Sequence, residues 1–130
     1  MDKRTGHVQV KRVVCVMDQG LVVNPEGSRL QLEGGIIMGL GYTLAEEIHF
    51  RGGEILERDF DTYHIPRFSW APKIETFLMD NPSTPPVGCG EPPAITVGAL
   101  IANAIFDAVG VRLLHLPMTP ERVRAAIQRA

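Results

Sequence analysis

One carboxylate stands in the most constrained stretch of the sequence. Residues 81–93 hold five prolines and two glycines, and Glu91 directly precedes two of the prolines. A residue before proline is disfavoured in the helical region, so Glu91 and the proline after it are predicted to be extended. Gly88 and Gly90 lack a Cβ and would let backbone N–H groups approach an anion or an oxo group. A carboxylate held there can serve as a general base; the alternative is a glutamate that merely suits a positive helix end.

A second candidate is Gln31, within a helix predicted from about residue 25 to 44. Its amide can hydrogen-bond the edge of a heterocycle in two directions, although most helical glutamines are simply solvated. The interior of this helix carries four glycines, Gly34, Gly35, Gly39 and Gly41. Each costs about 1 kcal/mol of helix propensity relative to alanine. Such glycines are tolerated where another backbone or a ligand comes close, so this helix is expected to border a site.

Few other residues suggest chemistry. Cys89 invites interpretation as a nucleophile, but no histidine lies near it in sequence, and a small packed thiol is favoured. The four histidines are scattered without ligand spacing, so no metal site built from protein ligands is predicted. Two cysteines in a chain of this size do not indicate a disulfide framework.

Composition narrows the class of protein. The 130 residues are 45% hydrophobic and 22% charged, which suits one soluble globular domain. A net charge of −2 with no basic stripe argues against nucleic acid as a partner. No apolar run approaches the roughly 20 residues of a membrane span. The polar start lacks a signal-type segment, so a cytoplasmic location is expected, and a periplasmic one would need an export signal upstream.

The elements that must position these residues follow from periodicity and turn signals. They are a strand over 7–17, the helix over 25–44, a hairpin around Gly52-Gly53, a strand over 74–79, the 81–93 loop, a helix over 94–109 ended by Gly110, a strand over 111–116 and a last helix capped by Thr119. This order predicts one α+β domain over residues 1–130, with a mixed sheet and two or three packed helices.

Three motifs together resemble the C-terminal end of the molybdenum-binding large subunit of the xanthine dehydrogenase/aldehyde oxidoreductase family, in its isoquinoline 1-oxidoreductase β-subunit-like branch. They are Asp18-Gln19-Gly20 with Asn24-Pro25, then Gln31-Leu32-Glu33-Gly34-Gly35 with Gly39-Leu40-Gly41, then Gly88-Cys89-Gly90-Glu91-Pro92-Pro93. The resemblance covers about residues 8 to 129. Two positions depart from it, because Cys89 stands where a small aliphatic residue is more usual and Gln19 where cysteine is common in that branch.

The resemblance implies a molybdenum hydroxylase that oxidises aldehydes or N-heterocycles with oxygen from water. It assigns the general base to Glu91 and contacts with the molybdopterin to Gln31 and to the Gly88, Cys89 and Gly90 loop. The cofactor would be molybdenum-molybdopterin, shared with segments of the subunit outside this sequence. Iron–sulfur clusters would lie on a partner subunit.

The family's molybdenum subunit is several times longer than this sequence. The chain is therefore expected to be a C-terminal domain that assembles with the remainder of the molybdenum-binding subunit and with an iron–sulfur subunit, and to be inactive alone. The alternative is a non-catalytic, stand-alone binding or interaction domain derived from the same fold.

Overall fold

Three helices and four short strands form the chain, and the computed structural model describes all residues from 1 to 130. In chain order they are β1 (Arg12–Met17), α1 (Pro25–Leu44), β2 (Phe50–Arg51), β3 (Glu54–Ile55), β4 (Lys73–Leu78), α2 (Pro92–Val109) and α3 (Pro120–Arg129), with a 3-10 turn at Phe68–Trp70. The α+β class and the three helices predicted from the sequence are confirmed. Parallel and antiparallel pairing both occur, divided between two sheets: β1 pairs with β4, and β2 with β3.

Helix α1 begins and ends where the sequence predicts. The side chain of Asn24 accepts a hydrogen bond from Gly27 N at 2.9 Å, and Pro25 occupies the first helical position, where no N–H partner is needed. Leu32, Ile36 and Leu40 are fully buried along one side of the helix. This helix is therefore the central element onto which the others pack.

Helix α2 crosses α1 at very short range. A Cβ built on Gly39 would lie 2.7 Å from both Cβ and Cγ2 of Val97 and 3.0 Å from the carbonyl oxygen of Ala94. The hydroxyl of Tyr42 donates to that same carbonyl oxygen. The seven residues of the buried cluster are Ile36, Leu40, Val97, Ile101, Ile105, Met118 and Val123. Gly35 and Gly39 thus have a packing role, since they bring the start of α2 against the middle of α1.

The prediction that Glu91 and Pro92 are extended is wrong. Helix α2 begins at Pro92, two residues before the predicted start, and Glu91 has helical angles of φ −83° and ψ −33°. Prolines at the first two helical positions lose no backbone hydrogen bond. The carbonyl oxygen of Glu91 accepts from Ala94 N at 2.9 Å and Ile95 N at 3.1 Å, and these bonds offset the steric preference before proline. The predicted end is confirmed, because Gly110 has φ +74° and donates its N–H to Phe106 O.

Two predicted strands differ from the structure. Residues 111–116 form no strand, and residues 7–11 of the predicted 7–17 strand lie outside β1, although the carbonyl oxygen of Lys11 accepts from Lys73 N. Residues 7–11 alternate valine with polar residues and residues 111–116 are mostly apolar, as strands often are, but no second strand of this chain pairs with either segment. The hairpin around Gly52-Gly53 is confirmed and is shorter than predicted.

Helix α2 also has the length and composition of a membrane span, with 18 residues and a mean hydropathy of 1.5. In this fold Pro93, Val97, Ile101 and Ile105 are buried against the rest of the chain. Core helices of globular domains share such compositions, so the hydropathy alone does not indicate a span.

Glu75 connects the two strands of the parallel sheet. Its carboxylate lies 3.0 Å from Nη2 of Arg12 and 2.9 Å from Nζ of Lys73, and the hydrogen bonds from these two cations lower the pKa of Glu75 from 4.5 to about 2. A depressed pKa in the folded state means that the stabilisation is present above pH 4.5 and is lost as the pH falls towards 2.

We therefore expect Glu75→Gln to lower the free energy of unfolding at pH 7 and to match the parent chain near pH 2. Urea unfolding at pH 7, 5, 3 and 2 measures this difference. Glu54→Gln is the control, because the Glu54 side chain, paired with Arg58, is 73% exposed whereas that of Glu75 is 25% exposed. A difference between Glu75→Gln and the parent that stays constant with pH would contradict the assignment.

Candidate functional site

The loop before α2, residues 81–91, is hydrogen-bonded to the turn that follows β1, residues 18–21. Leu21 N donates to Thr84 O at 2.9 Å, and Val87 N donates to Gln19 O at 3.0 Å. Two of the three motifs, distant in sequence, are thus joined by backbone hydrogen bonds. Residues 88–91 come directly after Val87 in the chain. Their position therefore depends on the turn at residues 18–20, to which Val87 is hydrogen-bonded.

The turn itself is tightly shaped. Gly20 has φ +69°, and a Cβ there would lie 2.3 Å from the carbonyl oxygen of Pro85, so no other residue fits without moving the loop. Asp18 closes the turn, because its carboxylate accepts from Gly20 N at 3.0 Å and from Asn81 Nδ2 at 3.1 Å. These two hydrogen bonds, the backbone one first, lower the pKa of Asp18. The ionised form of Asp18 therefore favours this arrangement.

The end of the loop meets the second turn of α1 and the residues that follow it. A Cβ on Gly35 would lie 2.6 Å from Cγ of Pro93 and 3.5 Å from the carbonyl oxygen of Gly90. A Cβ on Gly90 would lie 3.9 Å from Nε2 of Gln31. The structure thus brings Gln31 beside Gly90, with Glu91 as the next residue. Gln31 is exposed and its side chain makes no hydrogen bond within the chain.

The backbone of residues 88–91 offers unused donors. None of their four N–H groups donates to an acceptor in the chain. Gly88 is exposed, and Cys89 and Gly90 are half-buried. A run of free N–H groups in a glycine-containing loop can bind oxo, phosphate or carbonyl oxygens. The approach of this backbone to a ligand stays a prediction, and the unused N–H groups are what the structure offers for it.

Glu91 stands at the start of α2 with an exposed side chain that makes no capping hydrogen bond. Its backbone is fixed by the first turn of α2, whereas its carboxylate has no partner within the chain. A negative charge at this position is favoured by the helix dipole. The carboxylate is consequently placed by the backbone and free to accept a proton or a hydrogen bond.

Gln19 is a residue of this region that sequence reasoning did not select as a site residue. It is 5% exposed, and Nε2 donates to Oγ of Ser28 at 2.7 Å. Its Oε1 is buried and has no hydrogen-bond partner. Buried polar atoms nearly always have one, so this oxygen is an exception within the chain. The available signal in the sequence was the position of Gln19 in the Asp18-Gln19-Gly20 motif.

Comparison with known proteins assigns the chain to a family. The family model described as a molybdopterin cofactor-binding domain matches residues 1–72. The chain belongs to that family. The resemblance to the xanthine dehydrogenase/aldehyde oxidoreductase family, inferred from the three motifs, is thereby confirmed.

Relatives of this molybdopterin cofactor-binding domain are subunits of larger enzymes. It is 42% identical over 127 residues to a nicotinate dehydrogenase subunit of Pseudomonas putida, and the match covers 98% of this chain and 11% of that protein. It is 34% identical over 126 residues to the aldehyde oxidoreductase molybdenum-binding subunit PaoC of Escherichia coli K12, covering 92% and 17%. The chain therefore spans less than a fifth of the length of these relatives.

The fold is that of solved molybdenum enzymes. Aldehyde oxidoreductase from Desulfovibrio gigas superposes with a TM-score of 0.86 at 29% identity, over 98% of this chain and 14% of that one. The match takes in all three helices and the β1–β4 sheet. The loop, the turn and α1 thus belong to the shared architecture of the domain.

The residues of the site fit a molybdopterin. The pterin and its phosphate present oxygens and ring nitrogens, which the free N–H groups of residues 88–91 and the amide of Gln31 can bind. The absence of a side chain at Gly35 lets Pro93 and the end of the loop pack directly on α1, and the absence of one at Gly90 leaves space beside the amide of Gln31. These groups are donors and acceptors suited to an organic cofactor and contain no cluster suited to a bare metal ion.

Proposed function

We propose that this domain supplies the general base and part of the molybdopterin contacts of a molybdenum hydroxylase acting on an aldehyde or an N-heterocycle. The observation that carries the proposal is the meeting of Gln31, Gly90 and Glu91 beside Gly35, next to four unpaired backbone N–H groups. The names of the relatives, which include a nicotinate dehydrogenase and an aldehyde oxidoreductase, support the two substrate classes.

When bound, the molybdenum cofactor supplies the redox centre that takes two electrons from the substrate carbon while oxygen from water enters the product. Glu91 accepts a proton at its carboxylate during this reaction, as a general base does. Gln31 orients the pterin through its amide, which can donate at Nε2 and accept at Oε1. The N–H groups of residues 88–90 donate to the cofactor's oxygens and hold the loop against it.

Further parts of the enzyme are also proposed. The domain lies at the C-terminal end of a larger molybdenum-binding subunit, whose remainder completes the cofactor site. The electrons leave through an iron–sulfur subunit. The share of 11% to 17% that this chain covers in its relatives supports the need for further chain, since one domain supplies only one side of the site.

The test is the molybdenum content of the chain, tagged and gently purified from its native host. We expect near-stoichiometric molybdenum together with a larger molybdenum subunit or an iron–sulfur protein. Gln31→Ala should lower the molybdenum content, whereas Arg29→Ala, an exposed neighbour on α1, should leave it unchanged. A clean chain with neither metal nor partner would contradict the proposal and favour the stand-alone binding domain.

A further inference from the structure

The parallel sheet is open on the β1 side. Lys73 N donates to Lys11 O at 3.0 Å, so the odd-numbered residues of β1 direct their backbone groups towards β4. In a parallel ladder alternate residues point to opposite edges. The N–H and C=O groups of Arg12, Val14 and Val16 therefore face away from β4, where no other strand of the chain pairs with them.

The chain before β1 extends this open edge. Residues 8–10 belong to no helix, strand or turn, and none of their N–H or C=O groups takes part in a backbone hydrogen bond. Val8 and Val10 pack against the buried cluster, whereas Gln9 between them is exposed. This is the alternation of a strand with one buried face, and it lacks only a neighbour. The in-and-out burial pattern of a strand therefore continues through residues 8–10, ahead of β1.

An apolar groove of about 550 Å³ runs between this edge and α2. All seven residues from 8 to 14 line it, so both odd and even positions border the groove. The backbone edge of the strand, rather than one of its faces, therefore forms that wall. The opposite wall is an apolar stripe of α2 formed by Val97, Leu100, Ile101, Ala104, Ile105 and Ala108.

The shape of the groove and its unpaired backbone groups favour an extended polypeptide segment as the bound partner. The length of the edge, about seven residues, is that of an ordinary strand. An extended segment could pair with the unpaired N–H and C=O groups and pack its side chains on α2 at the same time. A helix in the groove would leave those backbone groups unsatisfied. Natural proteins cover or interrupt long apolar edges of this kind because they otherwise template aggregation.

The lengths of the relatives indicate where the occupant comes from. Each relative carries several times more chain than this domain, and the domain matches only 11% to 17% of it. We infer that an extended segment of the same molybdenum-binding subunit, outside these 130 residues, adds to β1 as a third strand and packs on α2. The inference rests on the proposed function in one respect, namely that the chain works as part of a larger molybdenum-binding subunit.

Site-specific photo-cross-linking tests the inference. A benzoylphenylalanine is placed at Ala104, which lines the groove, in the tagged chain expressed in its native host, and the cross-linked peptide is identified by mass spectrometry. We expect a peptide from the molybdenum-binding subunit outside residues 1–130. The control is the same substitution at Ala99, an exposed position of α2 on the side away from the groove lining, where this peptide should be absent.

Val14→Pro is the second variant, since it removes one outward N–H and no hydrogen bond to β4. It should lower the cross-link yield from position 104 about two- to tenfold, as expected for one unmade hydrogen bond. Val14→Ala, which keeps the N–H, should retain most of the yield. If Val14→Pro fails to fold by circular dichroism, the peptide identified from the unsubstituted strand decides the question.

Other cross-linking outcomes would overturn the inference. A peptide from residues 1–130 would show a second copy of the chain in the groove, and a peptide from an unrelated protein, or no cross-link, would show that no strand of the subunit lies there. The molybdenum content of the same preparation is the independent readout. Molybdenum present without the expected peptide would refute the third strand and leave the proposed function standing.

Discussion

Replacement of Glu91 by glutamine in the assembled enzyme is expected to lower the turnover rate by about 10²-fold or more, the usual loss when a general base is removed. Glutamine has the same size and cannot accept a proton at neutral pH. Because the side chain of Glu91 is exposed and makes no hydrogen bond, the free energy of unfolding should change by less than about 0.5 kcal/mol. The turnover rate and the free energy of unfolding together distinguish a catalytic role of Glu91 from a structural one.

The measurement is the steady-state rate with an aldehyde and with an N-heterocyclic substrate, beside the molybdenum content of each preparation. Glu26→Gln is the matched control, since Glu26 is also an exposed glutamate at the start of a helix. It should keep the parental rate. A Glu91→Gln enzyme that retains full rate with full molybdenum content would remove Glu91 from the mechanism.

The elements that the sequence predicts well are those specified by local signals. Asn24 and Pro25 mark the start of α1 because the cap and the first-turn proline act within four residues. Gly110 marks the end of α2 for the same kind of reason. The strand predictions for residues 7–11 and 111–116 are wrong for a different reason. A strand needs a second strand to pair with, and the sequence of one segment does not show whether that second strand is present.

The site depends more heavily on tertiary contacts. The approach of Gln31 to Gly90 follows from the crossing of α1 and α2, which no local pattern specifies. Only the resemblance to a known family grouped those two motifs. The conformation of Glu91 was wrongly predicted because the preference before proline is weaker than two helical hydrogen bonds to its carbonyl oxygen. The burial of Gln19 is not predictable from the sequence because it comes from tertiary contacts, including the hydrogen bond to Ser28 on α1.

The helix crossing that creates the site should be very sensitive to one methyl group. Gly39→Ala is expected to lower the free energy of unfolding by about 1–3 kcal/mol, the range for overpacking a close contact. The new Cβ would lie 2.7 Å from the side chain of Val97 and 3.0 Å from the carbonyl oxygen of Ala94. Val97 is 3% exposed and β-branched, so it has little freedom to move aside.

The same substitution five positions earlier should have the opposite sign. A Cβ on Gly34 would meet nothing within 4 Å, so Gly34→Ala should stabilise the chain by up to about 1 kcal/mol through helix propensity alone. Urea unfolding of both variants measures the two differences. Because the propensity gain is common to both positions, their difference isolates the contact between α1 and α2. Equal stabilities would mean that the helices do not approach as closely as Gly39 indicates, and Gln31 would then not be held beside Gly90.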